Sequence, residues 1–235
     1  MAATSQAHDE ARHFYVMHDY LELLGEVPTS MDRASRAVLD LVLETPSLPK
    51  KLLGMQLMIE SLALTIFQVV RETRVEPVLA DLLRYYEKDE ARHVGLGVQL
   101  LPQLIRGLSK KESLGLFLFQ IQLLGWTLAG LKSMEPAFRE LGVDPKAILQ
   151  VGRAKQTLVF QEMWSQLGIT RPPPARAAVI RGIKGVAEAL FCDEPGVRAR
   201  ARAFARGLRG ALDEELPPTA LSGGPSGLGP EGGEA

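Results

Sequence analysis

The pentapeptide DEARH occurs twice in this chain of 235 residues, at Asp9 to His13 and at Asp89 to His93. In each copy a glutamate and a histidine lie three residues apart, so on a helix both project from one face and can grip a single metal ion. Two such helices facing each other would hold two ions. The constraint on folding is strong, because both copies must be helical and must meet. Their flanks do not match, so the repeat is a local device and not the period of a solenoid.

The rest of the sequence agrees with a helical chain. No stretch shows the alternation and β-branched enrichment of a strand, whereas helical periodicity and its punctuation recur throughout. The pattern predicts an all-α protein with helices over about Ser5–Leu24, Met31–Leu43, Leu48–Thr73 and Glu76–Leu104, the last kinked or ended by Pro102. Ser109 with Glu112 forms a capping box that opens an apolar helix running toward Glu140 and bent at Pro136. Further helices are predicted at Pro145–Leu167, Ala175–Phe191 and Glu194–Glu214. Residues 1–214 read as a single domain, with a metal-binding core at about 5–105 and a helical extension at about 110–214. The last 19 residues hold six glycines and four prolines. That is too little apolar surface to offset ordering entropy, so 215–235 reads as a disordered tail.

Composition narrows the function classes. With 27 basic and 28 acidic side chains the formal charge is −1, which makes no global case for nucleic acid or an anionic membrane. Cys192 is the only cysteine, so an internal disulfide and a cysteine-rich metal site are both excluded. That suits a reducing cytoplasm, as does the absence of a basic segment followed by an apolar one at the N-terminus. The uncharged run Ser113–Leu131 approaches the ~20 residues that span a bilayer. Gln120, Gln122 and Thr127 weaken a membrane reading, and a buried central helix is expected. Residues 171–209 carry nine basic and three acidic side chains. Arg198, Arg202, Arg206 and Arg209 share one face, with Phe204 as the sole interleaved aromatic, so a solvated face is expected over nucleic-acid binding.

Two metals need further carboxylates to bridge them, and Glu60 is the plausible supplier. It sits in LMIESLALTIF with Leu53, Leu57, Leu64 and Phe67 at helical spacing, where an unpaired carboxylate is costly to bury. Gln56 is its one polar neighbour a turn away. His8 and His18 show no comparable pattern.

On these residues the sequence resembles the ferritin-like di-iron carboxylate superfamily, especially the oxidases and oxygenases related to the small subunit of ribonucleotide reductase. The superfamily's order is Glu, Glu-x-x-His, Glu, Glu-x-x-His on four helices of a bundle. Here Glu10 and His13, then Glu60, then Glu90 and His93 stand in that order over residues 5–105. The resemblance implies a ferritin-like bundle with additional C-terminal helices, and two iron ions as cofactors, with manganese accepted by the same ligands. It also implies that Asp9 orients His93 and Asp89 orients His13, since metal-bound histidines usually donate their other ring N–H to a carboxylate. Arg12 and Arg92 either neutralise the acidic cluster or are ordinary helix-pair charge.

Two departures shape the reading. The family's first carboxylate helix is not represented, because the nine residues before Glu10 would extend at most ~14 Å as helix. The sixth ligand is then expected from an upstream segment lost from this chain, another subunit, a downstream residue such as Glu162, or water. The position of the reductase's radical tyrosine is Met17, which argues against a reductase. Tyr86, four before Glu90, is either a redox or supporting residue or a core tyrosine whose hydroxyl finds a polar partner.

The leading expectation is a di-iron oxidoreductase that activates dioxygen to oxidise a small organic substrate, served by an electron donor. Leu64, Phe67, Leu96 and Gly97 either line its apolar pocket or belong to the core. The alternatives are an iron-binding or storage protein and a helical scaffold whose incomplete site holds no metal. Uncovered apolar residues on the first helix (Ala7, Ala11, Phe14) predict a homodimer through that helix, or cover from the segment Val159–Trp164.

Overall fold

The computed structural model describes residues 2–169 and 174–213, and among these every regular element is helical. In chain order they are α1 (Ala2–Leu24), α2 (Arg33–Glu44), α3 (Leu48–Leu52), a π-helical segment (Leu53–Ile59), α4 (Glu60–Thr73), α5 (Pro77–Ile105), α6 (Lys110–Ser133), α7 (Glu135–Glu140), α8 (Pro145–Gln166), α9 (Pro174–Leu190) and α10 (Val197–Asp213). The tail 215–235 lies outside the described residues.

Local chemistry explains most boundaries. Asp32 accepts from the backbone N–H groups of Ala34 and Ser35 at 3.0 and 3.2 Å and so starts α2. Ser109 and Glu112 make the predicted capping box at α6. Arg74, at φ 50°, ends α4 in the left-handed conformation, and Glu76 caps α5 two residues later. Pro102 is accommodated in the last turns of α5, which runs on to Ile105. The predicted bend at Pro136 appears as a break at Met134, with Pro136 in the first turn of α7.

The stretch from α3 through α4 is one continuous rod, as predicted, but its middle is π-helical, a local change of winding that sequence reasoning missed. The i→i+5 pattern inserts an extra residue into the turn, closed here by the Glu60 N–H on the Met55 carbonyl. The rod's faces are thereby re-aimed immediately before Glu60. Two close approaches accompany the widened turn. A Cβ on Gly54 would lie 2.5 Å from Val42 Cγ2, and one on Gly97 would lie 2.6 Å from Gln56 Cβ and 2.8 Å from Leu57 Cδ2. These glycines let side chains of α2 and of the rod seat directly on the facing backbone.

The main core gathers Val42, Leu52, Leu57, Leu101, Leu123 and Phe160 from α2, the rod, α5, α6 and α8. A second core joins Leu131, Phe138, Ile148 and Phe191 at the far end of α6 and α8. α6 departs from the buried central helix expected of it. Leu116, Phe119 and Leu123 are buried, while Leu114 and Leu118 on its other side stand exposed. Both Leu48–Thr73 and Lys110–Ser133 are long and apolar enough to cross a membrane. In α10, Arg198, Arg202, Arg206 and Arg209 are exposed as expected, with Arg202 paired to Glu194 at 3.2 Å.

Candidate metal centre

The two DEARH segments meet. α1 lies against α5, and Glu60 at the start of α4 faces the pair across a buried cluster. Ligand atoms of Glu10, Glu60, Glu90 and His93 all lie within 4.8 Å of one another. His93 Nδ1 is 3.1 Å from Glu10, 3.3 Å from Glu90 and 3.8 Å from Glu60. His13 Nδ1 stands 3.4 Å from Glu90 and 3.8 Å from Glu10. All five residues proposed from sequence are therefore brought together. Four are buried; the side chain of Glu10 is 46% exposed.

Each histidine points its Nδ1 into the cluster and its Nε2 away from it. His13 Nε2 is 3.0 Å from Asp89, and His93 Nε2 is 3.3 Å from Asp9. This is the crossed pairing expected of the motif. With N–H on Nε2 donating to aspartate, the Nδ1 lone pair is left facing the carboxylates, the tautomer a metal requires. Arg92 donates to Asp9 at 3.0 Å and to Asp89 at 2.6 Å, and Arg12 donates to the same two aspartates. The arginines thus balance the aspartates, and the two motifs form a nearly two-fold arrangement. Burial opposes ionisation of Asp9, yet His93 and the arginines outweigh it and hold its pKa below the ordinary value.

Tyr86 is a core tyrosine whose hydroxyl finds a polar partner. Its ring stacks on His13 at 4.1 Å, and its hydroxyl donates to the His13 carbonyl at 3.0 Å, which pins α1 at that residue. Sequence reasoning overlooked Gln6. Its Nε2 donates to Glu60 at 2.8 Å and its Oε1 accepts from Gln56 Nε2 at 3.1 Å. The signal was available, since Gln6 lies four residues before Glu10 on the same helical face. His18, which showed no pattern in sequence, is partly exposed on α1 with Asp19 and Glu22, and the ligand atoms of the three lie within reach of one ion.

Three expectations are corrected. Glu162 is exposed on α8 and accepts from Gln166, so it is no member of the cluster. Val159 and Trp164 pack on the main core and leave the outer face of α1 open: Phe14 and Tyr15 are 64% and 67% exposed. Gly97 is a core contact, whereas Leu96 borders open space beside His93.

Crowded carboxylates set the charge state. Burial, then the neighbouring carboxyl of Glu90 and the charge of Glu10, push Glu60 up to about 10. Burial likewise raises Glu10. Burial works against charge on Glu90 and on His13 as well. In both it is outweighed, so Glu90 stays below the ordinary value through His13 and Glu60, and His13 rises through Glu90 and Asp89. A carboxyl raised in the folded state binds a proton the unfolded chain has lost. The stability this contributes is complete below about pH 4.5 and disappears as pH rises toward about 10. Metal-free protein is therefore expected to unfold in less urea at pH 9 than at pH 6, at a slope of up to roughly 1 kcal/mol per pH unit. Glu60→Gln should flatten that slope. A metal-free wild type whose urea midpoint is the same at both pH values would contradict a Glu60 carboxyl that keeps its proton in the folded chain.

Comparisons with protein-family models, curated proteins and solved structures give no match for this chain.

Proposed function

We propose that this protein is a di-iron carboxylate oxidoreductase of the ferritin-like superfamily, using dioxygen to oxidise a small organic substrate in the cytoplasm. The observation that supports this is the convergence of two glutamate–histidine pairs on Glu60, each histidine held by the aspartate of the opposite helix. The donor set suits the group. It combines neutral imidazole nitrogens with carboxylates that repel one another unless cations lie between them, a mixture that iron and manganese both accept.

Bound iron would supply the electrons and the open coordination positions for dioxygen. The chain's own residues do the rest. Asp9 and Asp89 hold the histidine rings in register, Arg12 and Arg92 offset the added negative charge, and Tyr86 anchors α1 by its hydrogen bond to the His13 carbonyl. Only Asp9 and His13 of α1's described side chains are buried. The helix carrying two ligands is thus held largely by polar contacts, so metal should tighten it. An electron donor belongs to the same proposal, as does a homodimer through the open face of α1, which sedimentation would detect.

Anaerobic reconstitution with ferrous iron, elemental analysis and oxygen uptake test the reading. About two iron ions per chain and rapid oxygen consumption without growth of a mineral are expected. Iron accumulating far beyond two per chain would favour storage, and protein that retains none would be a scaffold.

A further inference from the structure

Beside the cluster, α1 and α5 leave an open cleft of about 400 Å³, and His93 forms part of its wall. A molecule seated there lies against a candidate metal ligand. The cleft is also joined to the cluster through Gln6, which lines it and donates to Glu60. Its volume falls within the range of small-molecule sites.

The chemistry of the walls selects what fits. Arg92 lines the cleft with its side chain 62% exposed. Its Nη2 is taken by Asp9 and Asp89, whereas Nη1 and Nε meet no protein acceptor among the described residues. A guanidinium anchored at one nitrogen with its remaining donors free is a pre-oriented fork for a carboxylate. Asp9 lies in the same wall but does not cancel this, because Arg12, Arg92 and His93 already engage its two oxygens. Opposite in character, Leu96 and Gly95 present apolar surface, and a Cβ added at Gly95 would meet nothing within 4 Å.

We propose that this cleft is the substrate site and that it takes a small monocarboxylic acid with an apolar body, its carboxylate on the free donors of Arg92 and its body against Leu96 and Gly95 beside His93. The oxidation of the bound molecule rests on the di-metal reading above; the binding itself does not.

Calorimetric titration of the full chain with benzoate and with its neutral counterpart benzamide tests this, in both iron-loaded and metal-free protein. Benzoate is expected to bind about tenfold more tightly than benzamide, a ratio set by the charged fork. Gly95→Leu, whose Cβ meets nothing within 4 Å and whose longer side chain would occupy the cleft, should weaken benzoate at least about tenfold while bound iron stays that of wild type and the thermal midpoint does not fall. Arg92→Lys should erase most of the preference for benzoate over benzamide. Equal affinity for the two probes, no benzoate binding up to about 10 mM in either form, or wild-type affinity in Gly95→Leu would each overturn the proposal. Elemental analysis of the same samples separates the two readings. Iron bound without benzoate refutes the cleft alone, and benzoate bound without iron refutes the metal centre alone.

Discussion

Glu60→Ala is expected to lower the affinity for the second ferrous ion by more than about 100-fold, beyond the roughly 10–100-fold that losing an outer partner of a ligand costs. Glu60 is only 4% exposed, and in the metal-free protein it stays protonated up to about pH 10, so cations are what would let it ionise at neutral pH. Removing it takes away the one carboxylate contributed from outside the DEARH helices. The control is Glu162→Ala, an exposed glutamate on α8 with no place in the cluster. Glu22 is a poorer control because it can share a surface ion with His18 and Asp19. Iron content after identical reconstitution decides the matter: equal content in the Glu60 and Glu162 variants would remove Glu60 from the ligand set.

A second large effect is expected at Gly97, where α5 meets the π-helical turn. Valine there would drive its Cβ into Gln56 and Leu57, at 2.6 and 2.8 Å in the present packing. The Leu57 methyl is a side-chain tip that can turn aside, but Gln56 Cβ is fixed to its backbone, so the helices must separate. We expect a loss of about 3 kcal/mol, or roughly 6–12 °C in Tm for a chain of this size. Because Gln56 hands its hydrogen bond on to Gln6 and thence to Glu60, iron affinity should fall as well. Gly95→Ala, two residues away on the same helix and facing open space, is expected to be neutral or to stabilise by up to about 1 kcal/mol. Thermal unfolding of the pair reads this directly, and indistinguishable midpoints for Gly97→Val and wild type would show that the close approach is not maintained in solution.

Much of this was legible in the residues. The start of α6 was marked by Ser109 with Glu112, which make that capping box in the folded chain. The five cluster residues were legible too, because an exact repeat of glutamate and histidine at helical spacing, with a glutamate in an apolar stretch between the copies, leaves few other arrangements that would satisfy them. Even the crossed aspartate–histidine pairing, implied by the family resemblance, is present at 3.0 and 3.3 Å. Gln6 was readable from its place four residues before Glu10 on the inner face of α1, although its partners Glu60 and Gln56 were not.

The remainder depended on distances between elements far apart in the chain. The π-helical winding of Leu53–Ile59 has no local signature, since its residues favour an α-helix equally well; it is settled by how the rod packs against α2 and α5 at Gly54 and Gly97. Exposure of Glu162 and of the outer side of α6 likewise follows from which faces find partners, a question periodicity poses but cannot answer. The sequence by itself determined the helices and the candidate ligands, because those follow from spacing within a few residues. Only the tertiary structure decided that Arg92 keeps donors free toward an open cleft, that Glu10 stays half-exposed and that α1 is held by polar contacts. Each of these is set by the solvent and neighbours that packing allots to a side chain, and spacing along the chain carries no record of it.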